Sequence, residues 1–252
     1  MSKRASFAAF VIALFGAFPA RSAPAPKETN AKPPEPEIMA QAAEATEDEA
    51  ARYRSVSEGH LKQLTLAIIN CADSQQGKLP RNLTDKKGKP QLSWRVHILP
   101  YIEENDLYKA FKLDEPWDSE NNLKLLEQMP KIFASPRVTV KRKGYTVYQG
   151  FAGEGTVFEP GQELRYPASI PDGTSNTIML VESSIAVPWT KPADVPFDAK
   201  KDLPDFGKAF GAKPLVAMCD GSVRRLDLKN LSEKTLKNAI TRADGFPLGA
   251  DW

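Results

Sequence analysis

Apolar and polar positions change rhythm several times along the chain, and each change marks a different kind of segment. From Ala5 to Phe18 the residues are almost all apolar, whereas from Ala23 to Glu37 the chain is rich in Pro, Ala, Lys and Glu and has almost nothing to bury. From Ile38 to Gln76 there is no proline, and Ala, Glu, Gln, Leu and Arg dominate. These are good helix formers, so this stretch predicts one long helix. Its first half is acidic and alanine-rich, with Asp48 and Arg52 at the i, i+4 spacing of an exposed helix, and is expected to stand clear of the rest. Past Gly59, the residues Leu61, Leu64, Ile68 and Cys71 recur on one helical face, so the second half is expected to pack. Gly77 supplies a stop signal, with Pro80 close behind.

Shorter patterns follow. Ser93 is placed to cap a short helix through Trp94, Val96, His97 and Ile98 toward Tyr101, with Pro100 loosening its end. A second short helix is expected from Ser119 to Met129, burying Leu123 and Leu126. Beyond Pro136 the rhythm becomes that of short strands: Val138 to Lys141, Tyr145 to Phe151, Thr177 to Glu182, Leu215 to Cys219 and Ser222 to Leu226. Asp220 and Gly221 read as the type I′ turn joining the last two. A final helix is expected with Asn230 as its cap and Glu233 three residues on. The sum is an α+β fold, a long N-terminal helix packed on an antiparallel sheet with short peripheral helices, in one domain over 38–252.

The ends of the chain bear on location. Lys3 and Arg4, the apolar run and the small residues after it follow the order of a secretory leader, with a cut expected after Ser22. The run is too short for a comfortable membrane span. Residues 1–22 are thus read as a signal peptide and 23–37 as a disordered Pro/Ala-rich tether. The expected location is periplasmic or extracellular, with membrane contact only through the leader if it stays uncleaved. No Cys lies near the cut, so a lipid anchor is not expected.

With 252 residues, 41% of them hydrophobic, the remainder is long enough to bury one full core. Its 21 prolines point to many rigid connections. The leader removes three basic residues and no acidic ones from the 34 and 32 of the whole chain. The nearly neutral product lacks the basic field that phosphate backbones require, which argues against nucleic acid. Cys71 and Cys219 are the only cysteines. An oxidising compartment permits a disulfide between them, and two buried free thiols are the alternative.

Chemistry is sparse. His60 and His97 are the only histidines, and the Gly-rich phosphate loop, the paired-His zinc motif and the nucleophile elbow are all missing. No catalytic residue and no cofactor is assigned. Asp114, Glu115 and Asp118 lie in a loop that offers hard oxygen ligands to calcium, although the EF-hand spacing is not met. The simpler reading is that Asp118 or Ser119 caps the next helix while Trp117 anchors the loop. Asp172, Thr174, Ser175 and Asn176 form a polar loop whose amides and hydroxyls suit sugar hydroxyls or an anion, with Trp117 or Trp189 as an aromatic face beside it. Against this stand a self-satisfied turn and a Trp189 covering the core edge. Lys141, Arg142, Lys143 and Gly144 read as a solvated hairpin tip.

The strings NLTDKKGKPQLSWRVHILPYIEENDLYKAFKLDEPWDSENN, PDGTSNTIMLVES, AVPWTKPADVPFD and CDGSVRRL are similar to those of the planctomycete domain of unknown function 1559. The resemblance spans His60 to Trp252. It implies a pilin-like fold, a long helix followed by an antiparallel sheet, and an exported protein. The family pattern has a His, nine intervening residues and then an Asp-Gly pair; here Asp220 and Gly221 match but the His position holds Phe210. The prepilin-type leader, a Gly before a Phe-Thr-Leu run with a Glu at its fifth position, is also missing. The resulting expectation is an exported, non-enzymatic structural or interaction module that meets an unknown protein partner or extracellular ligand. The alternative is an extracytoplasmic solute-binding protein, with carbohydrate as one ligand class.

Overall fold

The computed structural model describes residues 38–40, 45–204 and 206–252. The expected leader and tether, 1–37, lie outside the described residues. Among the described residues no helix is long and apolar enough to cross a membrane.

Strand β1 is Ile38–Ala40, and the long helix α1 is Glu47–Ser74. At 28 residues α1 spans about 42 Å. It does not begin at Ile38 as its composition suggests. Ile38–Ala40 is instead extended and pairs antiparallel with a later strand, and the helix starts where a capping box forms. There the Glu49 amide donates to Thr46 Oγ1 at 3.3 Å while the Thr46 amide donates to Glu49 Oε2 at 2.9 Å. Glu47, Asp48 and Glu49 put negative charge at the positive end of the helix dipole. The helix closes where the Gly77 amide bonds the Ala72 carbonyl at 2.8 Å, with Gly77 at φ +85°. Leu61, Leu64, Ile68 and Cys71 are all fully buried, as their spacing requires.

A small hairpin of β2 (Leu83–Thr84) and β3 (Pro90–Leu92) leads into α2 (Trp94–His97), capped by Ser93, and a 3-10 turn over Leu99–Ile102. Helix α3 is Asn105–Ala110. The helix expected from Ser119 to Met129 is broken: α4 covers only Glu120–Leu123, and a 3-10 turn covers Leu126–Gln128. Leu123 remains 47% exposed because the helix ends before a second turn can present it to the core.

The remaining strands are β4 (Val138–Val140), β5 (Tyr145–Gln149), β6 (Phe151–Ala152), β7 (Ile178–Pro188), β8 (Val195–Pro196), β9 (Leu215–Met218) and β10 (Val223–Arg225). The main sheet has the order β10-β9-β7-β5, and every pair in it is antiparallel. β1 pairs with β4, and β6 with β8. The last helix, α5, is Glu233–Ile240; its cap is Ser232 rather than Asn230. Asn230 instead donates its side-chain amide to Asp227 in the preceding turn.

The sheet is covered on both faces. Along β9, Leu215 and Ala217 join the core shared with α1, while Val216 and Met218 join a second core with Leu236, Ala239 and Ile240 of α5. This is the period-2 alternation of a strand buried on both sides. In β7 the alternation slips: Ile178 and Val181 face α5, but Met179 and Leu180 both face α1. A bulge between Ile178 and Leu180 takes up the extra residue. The turn from β9 to β10 is not type I′. Gly221 has φ +86°, but Asp220 keeps a negative φ, and the Gly221 amide bonds the Met218 carbonyl at 3.0 Å. That is a type I turn closed by a glycine bulge.

Candidate functional site

The residues singled out for binding do not come together. Trp189 is fully buried, stacked on Phe133 at 5.5 Å and edge-on to Phe111 at 5.7 Å, with its indole N–H on the Leu126 carbonyl at 3.0 Å. No face of it is left for a ligand. Trp117 is half-buried, pinned by its amide to the Gln91 carbonyl at 2.8 Å, and its ring faces the Lys191 ammonium at 5.5 Å. The Asp172 carboxylate accepts from the amides of Asp244 and Gly245 at 2.7 and 3.0 Å. Asn176 donates its side-chain amide to the Asp172 carbonyl at 2.9 Å, and the Thr174 carbonyl accepts the Asp220 amide at 3.0 Å. Asp172 and Asn176 thus spend their side chains holding the loop's own turn and the C-terminal segment, the Thr174 carbonyl holds the β9–β10 turn, and Ser175 is exposed.

The three acids of the candidate calcium loop are likewise not brought together. Among the described residues no group of His, Cys, Asp and Glu side chains is gathered to hold a metal ion, so Asp114, Glu115 and Asp118 do not converge. A buried amide organises the loop instead. Asn122 donates to the carbonyls of Lys112, Glu115 and Pro116 at 3.0, 3.1 and 3.0 Å and accepts the Lys112 amide at 3.0 Å. It ties three of the loop's carbonyls together from within. Both Glu115 oxygens accept from Asn121, which holds the carboxyl below its ordinary pKa. Cys71 and Cys219 are free and buried, so no disulfide joins α1 to the end of β9. Burial pushes the Cys71 thiol up to about 11 and raises Cys219 further.

The structure builds a cleft elsewhere. About 500 Å³ opens between the β2–β3 hairpin and the loop from Val157 to Leu164, with Pro192 and Asp194 beneath. The two walls are zipped along one side. The Leu79 amide bonds the Leu164 carbonyl at 2.9 Å, the Tyr166 amide bonds the Gly77 carbonyl at 2.7 Å, and Lys78 pairs with Glu163 at 3.0 Å. Phe158 supplies the aromatic surface and stacks on Trp94 with ring centres 5.0 Å apart. Only glycine at position 150 admits that ring, because a Cβ there would lie 2.2 Å from Phe158.

Beneath Phe158 lies a buried charged knot. The Trp94 indole N–H points at both Asp194 oxygens at 3.2 Å, the Gly150 amide donates to Asp194 Oδ1 at 2.9 Å, and Arg95 Nη2 donates to the same oxygen at 2.7 Å. Arg95 and Asp194 are both buried, and Arg95 also donates to the Tyr148 carbonyl through Nε and Nη2 at 3.2 and 2.9 Å and to Ser93 Oγ at 2.8 Å. Burial lowers the Arg95 pKa, and the adjacent Asp194 counters it. A pair this well bonded fixes geometry more than it adds stability.

A model of the family described as Protein of unknown function (DUF1559) matches residues 49–209. The chain belongs to that family. No curated protein and no solved structure matches it. The DUF1559 match takes in both walls of the cleft and both members of the Arg95–Asp194 pair.

A second knot, with Ser57, Ser135, Arg137 and Glu182 inside the DUF1559 match and Leu215 beyond it, ties α1 to the sheet. The buried Glu182 carboxylate accepts from Ser57 Oγ at 2.7 Å, Ser135 Oγ at 3.2 Å, the Leu215 amide at 2.9 Å and the Arg137 guanidinium. Burial raises the Glu182 pKa against the pull of Arg137 and the other donors. Arg137 lies 4.9 Å over the ring of Phe210, the residue at the position where the resemblance implied a histidine. His60 bonds the Ala134 carbonyl at 3.1 Å and lies edge-on to Tyr148; His97 bonds Gln75 at 3.1 Å. Burial lowers the pKa of both.

Sequence reasoning missed Arg95, Asp194, Arg137, Glu182 and Phe158. Arg95 and Asp194 do lie inside two of the strings that carry the family resemblance, QLSWRVHILPY and AVPWTKPADVPFD. An arginine in the first turn of a short amphipathic helix is normally solvent-facing, and that default conceals a buried pair.

Proposed function

We propose that this DUF1559 protein is an exported, non-enzymatic binding module of pilin-like build that takes its ligand in the cleft between the β2–β3 hairpin and the loop from Val157 to Leu164. One observation carries this reading: the aromatic wall is held in place before any ligand arrives. Phe158 is fixed between Trp94 and Gly150, and Trp94 is fixed by Asp194 and Arg95. A concave, largely apolar surface with a few polar groups, positioned by a rigid support, is the form that small-ligand sites take. Asn82, Thr84 and Gln162 supply the polar groups.

The non-enzymatic part of the proposal is supported by the histidines, each tied to a structural partner and neither on the wall beside Phe158. Reproducible turnover of any substrate, abolished by a single substitution, would remove it. Export is tested by fractionating expressing cells and sequencing the mature N terminus, with a start at Ala23 expected.

Ligand binding is tested by a thermal-shift screen of small organic solutes and oligosaccharides against the wild-type protein and Phe158→Ala. The reading expects ligands that raise the melting temperature of the wild type and have little effect on the variant. Shifts that persist in Phe158→Ala but vanish in Trp117→Ala would move the site to the Trp117 loop and contradict it.

A further inference from the structure

The charges around the cleft are unequally used. Asp194 is neutralised by Arg95 at 2.7 Å, and Glu159 is neutralised by Arg242 at 2.6 Å while also accepting the Gly155 amide at 3.1 Å. Lys78 and Glu163, at the neighbouring rim, neutralise each other. Arg81 also lines the cleft and is exposed; its backbone bonds His97 and its charge reaches Glu163, but its guanidinium is held in no close ion pair among the described residues. It lies on the lip shared with a smaller polar cleft of about 340 Å³ lined by Gln75, Lys78, His97 and Glu163. The cleft therefore offers an apolar floor with one aromatic ring, uncharged amide and hydroxyl groups, carboxylates already paired, and one guanidinium held in no close ion pair.

From this charge balance we infer that the ligand is a small organic monoanion, a flat apolar body bearing one carboxylate, with its ring against Phe158 and its carboxylate at Arg81. The inference rests on the cleft being the binding site. A planar guanidinium matches a carboxylate through paired N–H donors, and Phe158 and the prolines around it match a flat apolar body. One free positive charge matches one negative charge. A dianionic phosphate would bring a second negative charge to a rim whose other cations, Lys78, Arg95 and Arg242, are already engaged by carboxylates.

The test uses matched probes, 2-naphthoate, its neutral amide 2-naphthamide and 2-naphthyl phosphate, titrated by NMR into the full-length protein, Arg81→Gln and Phe158→Leu. Naphthoate is expected to bind the wild type most tightly, to lose about tenfold in Arg81→Gln, and to weaken with salt. Naphthamide is expected to bind both proteins alike and to weaken only in Phe158→Leu. Equal affinity of naphthoate for wild type and Arg81→Gln, or tighter binding of the phosphate, overturns the carboxylate inference while leaving the cleft in place. Perturbations by all three probes that avoid the residues of the cleft, or no binding by any of them, overturn both.

Discussion

Asp194 shows how much one side chain holds together in this protein: it receives Arg95, the Trp94 indole and the Gly150 amide at once. Replacing it by Asn leaves Arg95 charged and buried without its counter-ion. Loss of one partner from a buried pair typically costs about 3–5 kcal/mol, so Asp194→Asn is expected to lower the unfolding free energy measured in urea by that much, and an unchanged value would contradict the role given to the pair. The histidines set a pH dependence. Burial holds His60 and His97 below the ordinary histidine pKa, so the unfolded chain binds more protons than the native one once the pH falls under about 6.5. Their contribution to stability is therefore complete above that pH and is lost as the pH falls through the depressed native values. Urea unfolding between pH 7.5 and 5 should show falling stability, and His60→Gln and His97→Gln should each flatten the slope. The thiols give a third outcome. With Cys71 raised to about 11 and Cys219 raised by still deeper burial, a thiol reagent at neutral pH should label neither in the native protein and both after denaturation.

At the scale of elements, what the sequence made legible was whatever local periodicity determines. The buried face of α1, the Ser93 cap, the antiparallel strands and the Gly77 stop are all set by residues within a few positions of one another. What it concealed depends on distant partners. Ile38–Ala40 has good helical neighbours but extends because Val138–Val140 pairs with it, nearly a hundred positions away. The sequence leaves Trp189 between a ligand-facing aromatic and a cover for the core edge, and only the enclosing Phe111 and Phe133 decide for the core. It leaves Asp114 to Asp118 between a cation loop and the lead-in to a helix cap; Ser119 is the cap, and Asn122, which the sequence did not single out, ties down the loop's carbonyls. The start of α1 was legible in principle, since Thr46 and Glu49 form the capping-box spacing. Thr46→Ala should cost about 1 kcal/mol by urea unfolding, with the helical signal lost from the first turn. No change in stability would show that the pairing of β1, rather than the cap, fixes the boundary.

Over the whole described chain the sheet is a divider, with α1 and the segments from Leu79 to Phe133 on one side and α5 with Phe151, Val195, Phe197 and Phe206 on the other. The cleft lies where those segments meet the loop from Val157 to Leu164, so its shape depends on the same core that seats α1. This explains why a family of unknown function can be assigned an architecture before an activity. The Trp94, Arg95 and Asp194 side chains hold the cleft surface in place.

The most direct test of the account is amide chemical-shift mapping of the labelled protein against a library of small organic solutes. The account predicts that the strongest perturbations fall on Leu79 to Thr84 and Val157 to Leu164 and disappear in Phe158→Ala. Perturbations centred on Trp117 or on the Asp172 loop, with the cleft silent, would contradict it.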